Sequence, residues 1–158
     1  MAMQHTPLLM SNILDRGATV APYEEIVTLT ESGVRRQTYR ETRDRAHQLA
    51  HALAGSGIKV GDRVGTFMWN GSRHLEAYHA VAGMGAVLHT LNVRLSPKDL
   101  EYIINHAEDQ IIIVDADVLP LLEVLNGKIP CVRKVVVATE EGFELSLIHI
   151  SEPTRLER

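Results

Sequence analysis

The sequence predicts an α/β fold: an open, mostly parallel β-sheet with flanking helices, preceded by a β-hairpin. Three observations predict it. Short β-branched runs alternate with amphipathic stretches of about ten residues, the pattern of βαβ crossovers. One run, Ile111–Asp115 (IIIVD), is apolar without alternation, as befits a strand buried on both faces of a parallel sheet. Near the N-terminus, two strand-like runs flank a glycine turn.

The elements follow in order. Glu25–Thr30 (EIVTLT) and Val34–Tyr39 (VRRQTY), joined through Glu31-Ser32-Gly33, read as the hairpin. Thr38 and Glu41 have the spacing of a capping box, in which the hydroxyl accepts the Glu41 amide and the carboxylate reaches back. The helix they open carries Ala46, Leu49, Ala50 and Leu53 on one stripe and ends at Gly55 and Gly57. Arg63–Trp69 reads as a strand, and Ser72 as the cap of a helix with Leu75, Tyr78 and Ala82 inward and Gly85 at its close. Ala86–Leu91 is the next strand. Ser96-Pro97-Lys98-Asp99 starts a helix with serine at the cap, proline in the first turn and an acid facing the helix dipole. That helix is expected to bury Leu100, Ile103, Ile104 and Ala107. After the strand at Ile111–Asp115, a short helix through Leu119, Leu122 and Leu125 tolerates Pro120 in its first turn, and Val132–Ala138 is a further strand.

Composition narrows the functional classes. The 158 residues suit about one domain, 45% are hydrophobic, and only 4% are aromatic, so aliphatic side chains must fill the core. Sixteen Lys and Arg against 20 Asp and Glu give a net charge of -4, which lacks the basic footprint of a nucleic-acid or anionic-membrane binder. The lone Cys131 precedes an apolar run and reads as a buried, inert thiol. The N-terminal stretch has neither a basic region nor a sustained apolar core, so no signal peptide is expected. No apolar run approaches the ~20 residues of a membrane helix, and the expected location is the cytoplasm.

Several segments carry a resemblance to a known family. Thr38-Tyr39-Arg40-Glu41 resembles the (L/T)-Y-x-E-L motif of adenylate-forming (AMP-binding) ligases, departing from it at Thr42, where leucine is usual. Gly57 to Val64 (GIKVGDRV) is similar to the family's turn into a strand, and Met84 to Asn92 (MGAVLHTLN) to its second early motif. Trp69-Asn70 with Arg73 to Glu76, then Leu88 to Asn92, then Asn105 to Asp109 are most similar to medium- and long-chain fatty-acyl-CoA synthetases. The likeness spans roughly residues 7 to 142.

The resemblance implies an N-terminal fragment of a ligase whose parent joins a fatty acid to CoA. A carboxylate attacks the α-phosphate of ATP, pyrophosphate leaves, and the CoA thiol captures the acyl-adenylate. It implies ATP, Mg2+ and CoA as cofactors of the parent, a small carboxylate as its substrate, and leaves a homodimer of the parent open. Another carboxylate, aryl or amino acid, is the alternative within the superfamily, and a non-catalytic α/β binding module the alternative outside it. The family's phosphate loop, a Ser/Thr/Gly-rich stretch ending in Pro-Lys-Gly, does not occur in the 158 residues. The shared motifs read as scaffold: Gly57 and Gly61 as turn glycines, Asp62 as a cap for turn amides, Gly85 as a helix terminator. No catalytic, cofactor-binding or metal-ligating residue is therefore assigned within the chain. The chain alone is expected to be inactive and to bind none of the cofactors tightly.

Sharper readings lose to plainer ones. Gly55-Ser56-Gly57 with Gly61 ends a helix, whereas a dinucleotide loop follows a strand and opens one. His47 and His51 stand at i, i+4, a zinc-like spacing, but position 48 is glutamine and no third ligand is evident. His74, His79, His89 and His106 read as satisfied polar groups, and Arg94 as a surface or loop-pinning residue. The chain divides into residues 1–144, a partial N-terminal subdomain, and residues 145–158 (LSLIHISEPTRLER), a tail that resembles translated sequencing adapter and reads as foreign to the gene. The strands at Ile111 and Val135 are expected to lie partly uncovered, since later segments of the parent supply part of their cover.

Overall fold

Local signals set the first elements of the computed structural model, which describes residues 7–139 and 143–146. Strands β1 (Glu25–Thr30) and β2 (Gly33–Thr38) pair antiparallel, Glu25 opposite Thr38 and Thr30 opposite Gly33. Helix α2 (Tyr39–Gly55) begins with the expected capping box: the Thr38 hydroxyl accepts from the Glu41 amide, and the Glu41 carboxylate accepts from the Thr38 amide. Thr42 takes the place of the usual leucine without leaving its hydroxyl stranded. It is fully buried, donates to the Thr38 carbonyl at 2.9 Å and accepts from Gln37 at 2.9 Å.

A helix not anticipated from the sequence precedes the hairpin. Helix α1 (Met10–Val20) has no side-chain cap and no acid in its first turn, so local signals are silent. It forms because Leu14 and Ala18 bury one face.

Among the described residues, five strands follow in one sheet, in the order β4-β3-β5-β6-β7. They are β3 (Arg63–Phe67), β4 (Val87–Thr90), β5 (Ile111–Asp115), β6 (Lys134–Ala138) and β7 (Phe143–Ser146). The first four run parallel, and β7 pairs antiparallel to β6. Alternate residues serve the two faces. On one, Val64, Ile111, Ile113 and Val136 pack against α1, α2 and helix α3 (Ser72–Gly83). On the other, Phe67, Ile112, Val114 and Val135 meet helix α4 (Pro97–Ala107) and short helix α5 (Leu119–Glu123). Both faces of β5 and β6 are thus covered within this chain: Ile111–Val114 and Val135–Ala138 are all buried, against the expectation that these strands would lie partly bare. Helices α1 to α3 and α4 to α5 supply the cover assigned to later segments.

Two glycines fit their turns for steric reasons. Gly85, just after α3, has φ +83°, and a Cβ there would stand 3.2 Å from Val60. Gly61 has φ +86° and closes the turn whose Lys59 amide donates to Asp62 at 2.9 Å, as expected. Helix α4 starts on Ser96, whose hydroxyl accepts from the Asp99 amide. It buries Leu100 and Ile104 fully, while Ile103 and Ala107 are half-buried. Among the described residues no helix is long and apolar enough to cross a membrane.

Candidate functional site

The order of the strands locates the site. From β3 the chain crosses through α3 to β4 on one side, then returns through α4 to β5 on the other. The carboxyl ends of β3 and β5 therefore diverge into two crossovers, the switch point at which open α/β sheets leave a crevice. Here the crevice is a pocket of about 550 Å3. Its floor is the ends of β3, β5 and β6, and the hairpin forms the opposite wall through Thr28 to Glu31 and Arg35.

Trp69 and two acids organise the floor. The Trp69 amide donates to Asp115 Oδ2 at 2.7 Å, and its indole Nε1 donates to Asp117 Oδ2 at 2.8 Å. The indole is held in place yet 47% exposed. Burial pushes the Asp115 carboxyl up to about 6, and the neighbouring Asp117 charge pushes the same way, against the Trp69 amide bond. This constellation went unread in the sequence, although its signal was there: an aspartate closing an apolar strand, a second acid two residues on, and the one tryptophan just past the parallel neighbour.

A buried polar network fixes the hairpin over the pocket. Glu76 on α3 is 0% exposed. It accepts from Arg45 Nε at 2.7 Å, Gln37 Nε2 at 2.8 Å and Arg73 at 3.4 Å, tying together α2, β2 and α3. Burial raises its carboxyl, and the bonds from Gln37 and Arg45 pull it back. The Ser72 amide donates to Thr28 Oγ1 at 3.0 Å, pinning β1 to the start of α3. That bond corrects the capping expected of Ser72: Gly71 is the N-cap, no side chain caps the helix, and the Ser72 hydroxyl is buried without a hydrogen-bond partner. The inward face of α3 is also different. His74, Glu76, Ala77, Ala80 and Val81 are buried, Leu75 and Ala82 are half-buried, and Tyr78 is exposed. The helix is rotated toward its polar partners because Glu76 finds them in distant segments.

The remaining candidates lie apart. His47 and His51 line a smaller cavity of about 280 Å3 between α1, α2 and α3, with His79 and Asp15. His47 is 3.7 Å from Asp15. Among the described residues no three of His, Cys, Asp and Glu gather as a metal site. His74 shares a hydrogen bond with Thr66 at 3.0 Å, and burial holds its pKa down. His89 bonds the buried Asp109 at 2.8 Å, whose carboxyl burial raises and His89 lowers. His106 stacks on Tyr102 with centroids 5.5 Å apart. Arg94 is exposed, its amide donating to Asn92. Cys131 is half-buried, its thiol directed at Asn105 Oδ1 (3.3 Å) and raised mainly by burial.

A family model described as AMP-binding enzyme matches residues 14–156. The chain belongs to this AMP-binding family. The family likeness agrees with the motif resemblance and explains the doubly covered parallel sheet. A long-chain-fatty-acid–CoA ligase of Thermus thermophilus is 42% identical over 98% of this chain and 30% of its own length. A medium-chain-fatty-acid–CoA ligase of Ectopseudomonas oleovorans is 38% identical over 91% of this chain and 27% of its own. A 3-methylmercaptopropionyl-CoA ligase of Ruegeria pomeroyi is 40% identical over 85% and 25%. Among solved structures, a fatty acyl CoA synthetase of Mycobacterium tuberculosis aligns at TM-score 0.73 and 25% identity, covering 81% of this chain and 26% of that one. An anthranilate CoA ligase in complex with anthranoyl-AMP aligns at TM-score 0.76 and 27% identity, covering 87% and 26%. The chain thus spans about a quarter to a third of the length of these relatives, their N-terminal part.

Proposed function

We propose that this chain is the N-terminal scaffold of an acid–thiol ligase that activates a medium- or long-chain fatty acid as its acyl-adenylate and passes it to CoA in the cytoplasm. The observation that carries the reading is the 42% identity with a long-chain-fatty-acid–CoA ligase along almost the whole chain. ATP and CoA would serve the longer protein, with Mg2+ on the triphosphate. Among the described residues no donor cluster for the metal gathers. What this chain contributes is the sheet, its two helical layers and the hairpin wall. With no phosphate loop in its 158 residues, it is expected to be inactive by itself.

The test is pyrophosphate exchange on two proteins: this chain, and the open reading frame carried on through the source genome into a Ser/Thr/Gly-Lys loop. The longer protein should exchange with fatty acids and the chain alone should not. Turnover by the chain above a heat-killed control would overturn the reading. A longer protein that accepts only aryl or short thioether acids would favour the second reading, another carboxylate. The 40% identity with a 3-methylmercaptopropionyl-CoA ligase supports that alternative.

The adapter-like string from Ser146 supports the further reading that residues 145–158 are foreign to the gene. Residues 147–158 lie outside the described residues. Leu145 and Ser146 belong to β7, and the family match extends to residue 156, which weigh on the other side. Resequencing the locus decides: recurrence of those codons in source DNA would dispose of the idea.

A further inference from the structure

We propose that Trp69, Asp115 and Asp117 form a proton-operated latch on the wall of the crevice: while Asp115 is neutral the indole stays fastened to Asp117, and when Asp115 ionises Asp117 turns to solvent and the indole comes free. The latch rests on one residue with two bonds. The Trp69 amide donates to Asp115 and its indole N–H to Asp117, so a single residue draws the two carboxyls together. The two acids are held differently. Asp115 ends β5, is paired with Ala138 and is half-buried. Asp117 is exposed, on a turn that the Val118 amide closes by donating to the Asp115 carbonyl at 3.2 Å. Asp117 is therefore the one that gives way.

Two carboxylates on neighbouring turns of chain repel once both are charged. Burial and the Asp117 charge resist ionisation of Asp115 and delay it to about 6. The bond from the Trp69 amide favours the ionised form of Asp115, so it survives the step. The indole bond to Asp117 lies at the surface, where water replaces it at little cost, so that bond breaks. The other charged groups around the crevice are Glu31 and Arg35 on the hairpin and Arg73 on α3, while Ala138 and Thr139 at the end of β6 carry no charge. His74, also on α3, lies against the Trp69 backbone. Among the described residues the charge that bears on Asp115 is that of Asp117. Trp69 lines the crevice of about 550 Å3, so freeing its indole reshapes the crevice wall.

The latch needs nothing from the ligase reading, which pyrophosphate exchange tests separately. Trp69 is the single tryptophan of the chain, so fluorescence and the indole N–H resonance report on it without overlap. Acrylamide quenching of the full chain is followed from about pH 5 to about pH 8. The quenching constant should rise about twofold in a one-proton step near 6. Asp115→Asn should hold the low-pH value throughout, and it keeps every histidine. A step that survives there belongs to another group and overturns the proposal. In Asp117→Asn, Asp115 still ionises but meets no second charge, so the indole should stay shielded. A full step in that variant would mean that Asp115 acts on the indole directly, and it overturns the latch as well. The unaltered chain decides even if a variant fails to fold. Its one indole N–H resonance should move upfield and exchange faster with water through the same step. Either readout staying flat across that range in the unaltered chain overturns the proposal.

Discussion

Asp115 shows how one side chain couples the site to stability. Its carboxyl ionises near 6 in the folded chain, against roughly 3.9 in an unfolded one. Between those values the folded state holds more protons than the unfolded state, so this group's contribution to stability is full below about pH 4 and is lost as pH rises through about 6. Asp115→Asn keeps an acceptor for the Trp69 amide and removes that loss. The variant should match the parent near pH 4 and exceed it by about 1 kcal/mol at pH 8, a figure discounted for the group's partial exposure. Urea denaturation of both proteins across that range isolates the carboxyl as a difference. A difference that stays flat, or has the opposite slope, rejects the assignment. Gly65 offers a second residue-scale prediction. A Cβ there would lie 3.1 Å from Asp109 Oδ2 and 3.2 Å from Ile112 Cγ1, both buried. Gly65→Ala should therefore cost about 1–3 kcal/mol in the same assay.

At the scale of elements, what was legible in the sequence tracks how local the cause is. The hairpin, the capping box at Thr38 and the Ser96-Pro97 start of α4 depend on residues a few positions apart, and all three stand where the sequence put them. The run IIIVD needed only its own composition to announce a doubly buried strand. Helix α3 was recognised as a helix but read on the wrong face, and helix α1 was not read at all. Both depend on partners far along the chain. Glu76 is buried because Gln37 and Arg45 reach it from 39 and 31 residues away. Nothing within α3 reveals that a charged residue belongs inside. The pocket was hidden for the same reason, since Trp69 and Asp117 are 48 residues apart. The network also makes a prediction. Glu76→Ala removes the buried acceptor of Arg45 and leaves Gln37 only Thr42, and it should cost roughly 3–5 kcal/mol, as loss of one partner of a buried charged pair does. Hydrogen exchange should show amides of β1 and β2 opening ahead of those of β5. If the hairpin keeps its protection in a folded Glu76→Ala protein, Glu76 is not what fixes it.

For the whole molecule, the question is where apolar surface remains once the sheet is covered. Much of it lies on the hairpin and around α1, with single exposed residues such as Val60, Val87 and Tyr102 elsewhere. Val27, Leu29 and Val34 share the outward face of the hairpin, and Leu29 is 84% exposed and paired with Val34 across the strands. Ile13 on α1 and Leu9 just before it are exposed as well. A two-stranded hairpin with bare edges and an apolar face readily pairs with a further copy. The molecule should therefore unfold cooperatively, because β3 to β6 have their own core, yet self-associate through the hairpin. Replacing Val27, Leu29 and Val34 together by threonine keeps their β-branched or strand-compatible character while removing the apolar face. Light scattering at rising concentration should fall in this variant, while the thermal midpoint followed by circular dichroism changes little, as exposed substitutions usually do. A variant that scatters as strongly as the parent would move the sticky surface elsewhere. One that loses its cooperative transition would mean that the hairpin face contributes to the core after all.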